Sequence, residues 1–143
     1  MNVENRVYPD AEQIAEMGRP GPGKPIVMVN LLKFRERAAY PDGRDAHLSG
    51  REAYQRYGAA FMQGLAEAGG RVLFVGDATF LQVGRVDQLW DEVVLVEYPS
   101  REAFIAMATS PRWREISVHR EAGLEGQLNI ESVPSAAPPP KRG

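Results

Sequence analysis

The chain has 143 residues, of which 43% are apolar and 25% are charged, values that fit a single globular domain with a sizeable core. The formal charge of −2 provides no basic surface for nucleic acid. The sequence contains no run of about 18 apolar residues, so it predicts no membrane-spanning helix. The absence of cysteine excludes disulfides, thiolate chemistry and cysteine-ligated metal sites. The N-terminal sequence MNVENRVYPDAEQ has no apolar stretch after a basic start and is not a signal peptide, so we expect a cytoplasmic protein.

Prolines mark the limits of the compact part of the chain. Four of the 11 lie in PSAAPPPKRG at the C-terminus, and three lie in GRPGPGKP before residue 26. We interpret residues 1–24 as an appendage with a short helix in PDAEQIAEMG, followed by a linker. Residues 25–133 form the predicted domain, and residues 134–143 form a tail that buries too little surface to fold.

The domain begins with a strand and a helix. PIVMVNLLKF, residues 25–34, is apolar almost throughout and predicts the first strand. A charged loop of roughly a dozen residues follows. Ser49 and Glu52 then have the spacing of a capping box, which predicts the start of a helix. Apolar and aromatic residues recur at helical spacing until Gly69 ends it.

Two strands and a broken helix come next. RVLFVGDATFLQVG predicts a second strand with a bulge at Gly76–Asp77, and residues 91–98 predict a third strand that Pro99 ends. Ser100 is a good N-cap for the helix REAFIAMA. Ser110 and Pro111 then restart the helix as N-cap and first residue, and it ends at Gly123. LEGQLNIESV predicts a fourth strand.

This order of elements predicts the fold. The sequence β-α-β-β-α-β is that of the ferredoxin-like α+β fold, a four-stranded antiparallel sheet with helices on one face. The segments IVMV, VLFV and VVLV are apolar at consecutive positions, so the second face of the sheet is also apolar. Large apolar patches rarely stay exposed on monomers.

The sequence leaves two alternatives for what covers the second face. One is a second copy of the chain, so that two sheets pack face-on in a dimeric α/β barrel. The other is the N-terminal appendage, whose large apolar residues are Tyr8, Ile14 and Met17. The homodimer is our prediction, because three large side chains cover little of a four-stranded sheet.

Several segments together resemble a known family. PIVMVNLLKF, SGREAYQRYG, GGRVLFVGDATF and WDEVVLVEYPSREAFIAM, with SPRW and HREAGL after it, resemble the domain of unknown function 1330 family over residues 25–132. The resemblance implies a ferredoxin-like dimer of the dimeric α/β-barrel group. It implies no established activity and no catalytic residues. Within the wider group, cofactor-free monooxygenases and related enzymes make a small-molecule cleft an expectation from the fold alone.

The polar residues in or beside the strands are candidates for ligand binding. Asn30 lies inside an apolar strand and needs hydrogen-bond partners, which either the fold or a ligand supplies. Glu97 lies near a strand end, and its structural interpretation is a solvated edge position. Asp77 follows a glycine, and its structural interpretation is a turn residue.

The aromatic and basic residues of the two helices are the other candidates. Tyr54 and Trp113 serve either as core anchors or as ligand contacts. His119 and Arg120 lie in the last turn of the second helix, where cations suit the helix dipole. The functional interpretation brings them to the cleft mouth, where His119 exchanges a proton and Arg120 holds an anionic group.

Two classes of function remain open from the sequence. The first is a cofactor-independent enzyme that acts on a small hydrophobic or aromatic molecule by proton transfer. The alternative is a dimer that binds a small molecule, for example in a stress response, without turnover. No metal site and no cofactor is expected, because the two histidines lack a metal-binding spacing.

Overall fold

The computed structural model describes residues 1–135. Its elements, in chain order, are α1 (Ala11–Met17), β1 (Ile26–Phe34), α2 (Gly50–Glu67), β2 (Arg71–Asp77), β3 (Glu92–Tyr98), α3 (Arg101–Ala108), α4 (Pro111–Gly123) and β4 (Leu124–Ser132). The predicted disordered tail falls almost wholly on residues 136–143, outside the described residues. Within residues 1–135, no helix is long and apolar enough to cross a membrane.

The four strands form one antiparallel sheet in the order β2-β3-β1-β4. With helices in both crossovers, this is the ferredoxin-like α+β fold that the element order predicts. The prediction of fold class is therefore confirmed. The central strands β1 and β3 are apolar at consecutive positions, so both of their faces carry apolar side chains.

Local capping interactions set the helix starts where the sequence predicts them. Ser49 and Glu52 form a reciprocal capping box at the start of α2. At the start of α3, the Ser100 side chain accepts a hydrogen bond from the backbone N–H of Ala103. The Ser110 side chain accepts one from Trp113, so the chain restarts as α4 with Pro111 in its first turn.

The predicted second strand is corrected in two respects. It ends at Asp77 rather than near residue 84, and its irregularity lies at Leu73 instead of Gly76–Asp77. The Phe74 ring packs over Gly76, and a Cβ at residue 76 would meet this ring. The strand therefore stays regular at the glycine, and the bulge forms at Leu73 instead.

The two faces of the sheet differ in their cover. Ile26, Met28, Val96 and Tyr98 face the helices and form the main core with Leu65 of α2. The pairing register places an apolar row on the opposite face, with one residue from each of β2, β3, β1 and β4 in turn: Phe74, Leu95, Val29 and Ile130. Within one protomer, Phe74 is 52% exposed and Ile130 is 49% exposed.

The N-terminal appendage lies along the β4 edge and does not cover this row. Residues 5–8, here called the N-terminal strap, begin with an antiparallel bridge in which the Arg6 and Gln127 backbones exchange two hydrogen bonds of 3.1 and 3.0 Å. The Val7 carbonyl accepts a hydrogen bond from Arg120 of α4. Helix α1 buries no residue, and Ile14 remains exposed. Among residues 1–135, no segment covers the apolar row at Phe74 and Ile130.

Candidate functional site

A cavity of about 380 Å³ lies between the sheet and the helices. Its floor consists of residues from all four strands, and its roof consists of residues from α2, α3 and α4. Apolar and aromatic side chains dominate the lining: Met28, Tyr54, Tyr57, Phe61, Met62, Val72, Val75, Val94, Val96, Tyr98, Phe104, Met107 and Trp113. Cavities of this size and character are typical of small-molecule sites.

The cavity opens at the β2 edge of the sheet and extends to the β4 side. Met62 of α2 and Val75 of β2 line it and are 48% and 56% exposed, so its mouth lies at the β2 edge. Arg120, Gln127 and Asn129 line it on the β4 side. There the N-terminal strap bonds to both Arg120 and Gln127, while Asn129 is exposed.

Helix α2 supplies a ladder of aromatic rings. The ring centroids of Tyr54 and Tyr57 are 5.2 Å apart, and those of Tyr57 and Phe61 are 5.5 Å apart. Trp113 of α4 donates its indole hydrogen to the Tyr57 hydroxyl over 3.1 Å. Burial raises the pKa of both tyrosines, whose hydroxyls therefore stay protonated and can donate hydrogen bonds.

Asn30 lines the cavity and finds its partners within the fold. Its amide nitrogen donates to the carbonyls of Met28 and Val94 over 3.3 and 3.1 Å, and its side-chain oxygen accepts from Asn129 over 2.6 Å. The amide is thus satisfied by the protein. Because its donors are used, its capacity toward a ligand is limited to the remaining lone pair of the oxygen.

Arg120 lines the cavity and is only 6% exposed. Its Nη2 donates to the Val7 carbonyl over 2.6 Å, while its Nη1 is buried and has no hydrogen-bond partner among residues 1–135. The guanidinium carbon lies 5.3 Å from the Tyr8 ring centre and 5.7 Å from the Trp113 ring centre. The structural interpretation from the sequence makes Arg120 a solvated cation at a helix end. A residue buried this deeply does not fit that interpretation.

A carboxylate also lines the cavity. Glu92 pairs with Arg51 over 2.9 Å, and burial raises the pKa of its carboxyl group. Asp77 pairs with the same arginine over 3.1 Å but its side chain is largely exposed and does not line the cavity. Glu97 lies outside the cavity as well, where it pairs with Arg71 over 2.9 Å.

His119 also lies outside the cavity, although it precedes Arg120. Its Nδ1 lies 2.7 Å from the hydroxyl of Tyr40, a buried residue of the loop between β1 and α2. Consecutive helical residues point about 100° apart, and here one faces this loop while the next faces the cavity. The helix therefore separates the predicted pair, since Arg120 lines the cavity and His119 does not.

The surroundings of His119 predict a pH dependence of stability. Burial, together with Arg56 and Arg44, lowers the pKa of this imidazole below its ordinary 6.5. Between the two pKa values the unfolded chain binds more protons than the folded one, so stability falls as the pH drops through about 6.5. Urea unfolding should show a smaller loss of stability from about pH 7.5 to 5.5 in His119→Gln than in the wild type.

His47 provides the matched control for this measurement. It is exposed, and His47→Gln should keep the wild-type difference between the two pH values. An equal loss of stability in wild type and His119→Gln would show that His119 is protonated as readily in the folded chain as in the unfolded one.

The sequence interpretation identified four residues that line the cavity: Asn30, Tyr54, Trp113 and Arg120. It missed Tyr57, Glu92, Gln127 and Asn129 as site residues. A prediction of the strand pairing would have pointed to two of these residues. Asn129 lies opposite Asn30 on β4, and Glu92 lies opposite Leu32 on β3. Within residues 1–135, no group of three or more acidic or histidine side chains is placed to hold a metal ion.

Two of the similar solved structures support the same fold, and a third has a lower TM-score. A protein of unknown function from Rhodopseudomonas palustris is 34% identical, with 94% of this chain and 100% of that chain covered and a TM-score of 0.84. An uncharacterised NIPSNAP-like domain protein from Burkholderia xenovorans is 18% identical, with 82% and 91% covered and a TM-score of 0.52. A protein of unknown function from Bacteroides fragilis, described as dimeric and ferredoxin-like, is 12% identical, with 76% and 94% covered and a TM-score of 0.49.

No curated protein matches the chain. The family model described as domain of unknown function 1330 matches residues 44–132. This match spans more than half of the 143 residues, and it confirms the resemblance carried by the strand and helix segments. The chain belongs to the family of the domain of unknown function 1330.

Proposed function

We propose that the protein is a homodimer in which each protomer binds a small, largely apolar molecule in the cavity between sheet and helices. The observation that carries this proposal is the cavity itself. Protein interiors are packed to crystal-like density and contain few voids larger than a water molecule. A space of about 380 Å³ with an open mouth, beside a core cluster that is otherwise packed, is therefore a functional feature.

The lining favours a flat, apolar ligand. Aromatic rings of Tyr54, Tyr57 and Phe61 stand along one wall, and Val94 and Val96 lie on the floor. Aromatic side chains stack on or meet the edges of other rings at the separations seen between these residues. The cavity therefore suits an aromatic or similarly compact body better than a polar one.

A side chain that occupies the cavity should abolish binding. Gly58 lines the cavity within α2, and a Cβ added there would meet no atom within 4 Å. Gly58→Leu therefore starts its side chain in open space at the cavity lining, and we expect it to take up part of the ligand space. Compounds that raise the melting temperature of the wild type should lose most of this effect in Gly58→Leu, measured by thermal shift and calorimetry.

Gly58→Ala is the matched control, because it changes the same residue and fills much less space. It should keep ligand binding. If a compound stabilises Gly58→Leu as strongly as the wild type, it binds elsewhere and the cavity is not the site.

One observation favours catalysis as a second candidate. Glu92 is a carboxylate in the cavity with a raised pKa, which suits a general base for proton transfer. Its ion pair with Arg51 favours the charged form, which is the form that accepts a proton. Binding alone and catalysis differ in the fate of the ligand: nuclear magnetic resonance of a bound compound shows chemical change or solvent deuterium exchange only in the second case.

A further inference from the structure

Arg120 is a buried cation without an acidic partner. Within residues 1–135 it forms no ion pair, and its one hydrogen bond goes to the neutral carbonyl of Val7. Glu92, the acidic residue of the cavity lining, is bound to Arg51. A buried guanidinium stays protonated and costs free energy unless an anion and further hydrogen bonds compensate it. The protein therefore holds a cation whose partner is missing from its own described chain.

Further hydrogen-bond donors line the same cavity as this cation. Nη1 of Arg120 has no hydrogen-bond partner among residues 1–135, and the hydroxyl-bearing side chains of Tyr54 and Tyr57 line the cavity together with Arg120. The Tyr57 hydroxyl already accepts the Trp113 indole hydrogen, so its own hydrogen is left to donate. The rings of Tyr8 and Trp113 flank the guanidinium and hold it in place.

The charge balance selects a carboxylate over a phosphate. A single guanidinium matches the single charge of a carboxylate, and its planar fork fits the two carboxylate oxygens. A phosphate would bring close to two charges into a cavity that also contains Glu92. One cation does not compensate them.

The geometry orients such a ligand. The mouth lies at the β2 edge beside Met62 and Val75, and Arg120 lies on the β4 side. The apolar walls lie between these two ends. A ligand with its charged group at Arg120 thus directs its apolar part along the aromatic ladder toward the mouth.

We propose that the cavity binds a monocarboxylate with an aromatic or compact apolar body, and that the Arg120 guanidinium recognises its carboxylate. This rests on the proposed small-molecule function and names the ligand class. Arg120 acts here as a binding residue, and the N-terminal strap, through Val7 and Tyr8, completes its site.

The test compares three acids with their neutral amides: benzoate, phenylacetate and cinnamate against benzamide, phenylacetamide and cinnamamide. Calorimetry on the wild type should give at least one acid that binds about tenfold or more tightly than its amide, as charge-assisted hydrogen bonds predict. Arg120→Met should lose about tenfold or more in affinity for that acid and leave the affinity for the amide within about threefold.

Arg114→Met is the matched control, because it removes the same charge from an exposed position of the same helix. It should keep the preference for the acid. Arg120→Lys retains the charge without the planar fork and should keep only part of the preference; it also serves if Arg120→Met does not fold.

Each outcome decides the proposal. Equal binding of acids and amides to the wild type, or an equal loss of preference in Arg114→Met and Arg120→Met, overturns the role of Arg120 and leaves the small-molecule cavity standing. Binding of amides alone overturns the carboxylate as well. If none of the six compounds and no compound of the thermal-shift screen binds, the proposed function fails and the inference fails with it.

Discussion

Ile130→Glu should convert the proposed dimer of about twice 15.8 kDa to a folded monomer. Ile130 belongs to the apolar row of Phe74, Leu95, Val29 and Ile130, which crosses all four strands on the face away from the helices. It is half-exposed within one protomer, so glutamate there remains hydrated in the monomer. In a face-on dimer the carboxylate would be buried without a partner, which costs about 3–5 kcal/mol per site.

Two-fold symmetry doubles this penalty, because each protomer contributes one buried carboxylate. Sedimentation equilibrium at micromolar concentration measures the change, and circular dichroism shows that the monomer is folded. Phe74→Glu, at the opposite end of the same row, should have the same effect.

Val83→Glu is the matched control for the dimer. Val83 is 86% exposed in the connection between β2 and β3, outside the apolar row, so its replacement should leave the dimer intact. A wild-type protein that sediments as a monomer would contradict the face-on dimer directly. Dissociation by Val83→Glu and Ile130→Glu alike would move the interface away from the row.

The second large effect is expected at Gly123→Ala, which should lower the free energy of unfolding by about 1–3 kcal/mol. Gly123 ends α4 where it crosses the start of α2. A Cβ built there meets the carbonyl oxygen of Gly50 and lies 2.7 Å from the backbone nitrogen of Tyr54. Because both contacts are backbone atoms, the helices must move apart to admit the methyl group. Urea or thermal unfolding measures the loss.

Gly58→Ala is the opposite case on the same pair of helices. It lies in the interior of α2 with open space at the Cβ, so alanine should raise the free energy of unfolding by about 0.5–1 kcal/mol. A Gly123→Ala protein as stable as the wild type would show that the crossing of α2 and α4 can open at little cost. The positions of Tyr54 and Arg120 at the cavity depend on this crossing.

The order and the starts of the elements could be predicted because local chemistry sets them. Ser49 with Glu52, Ser100 with Ala103, and Ser110 with Trp113 each satisfy backbone groups within three residues, and the sequence contains both partners. The consecutive apolar residues of IVMV, VLFV and VVLV likewise predicted an apolar second face of the sheet, and the apolar row lies on that face. Gly123 was predicted only as a helix end; that it is needed for a close backbone contact depends on residue 50 of another helix.

The site depends on contacts that are distant in sequence. Asn30 meets Val94 and Asn129 only through the strand order β2-β3-β1-β4, and Arg120 meets Val7 across the β4 edge. His119 and Arg120 are adjacent and both basic, so the sequence alone does not distinguish their surroundings. The tertiary structure separates them because the loop residue Tyr40 lies on one side of α4, while the cavity and the N-terminal strap lie on the other.

The sequence by itself thus determined the secondary structure, the family and an apolar second face, since capping, strand parity and composition act over a few residues. Only the tertiary structure decided which polar groups share a cavity and which of them lack a partner. The burial of Arg120 without an anion is a property of the space around it, and that space is built from α2, α4, β4 and the strap together. No pattern within α4 itself specifies it, because the cost of an unpaired charge depends on every group that packs against it.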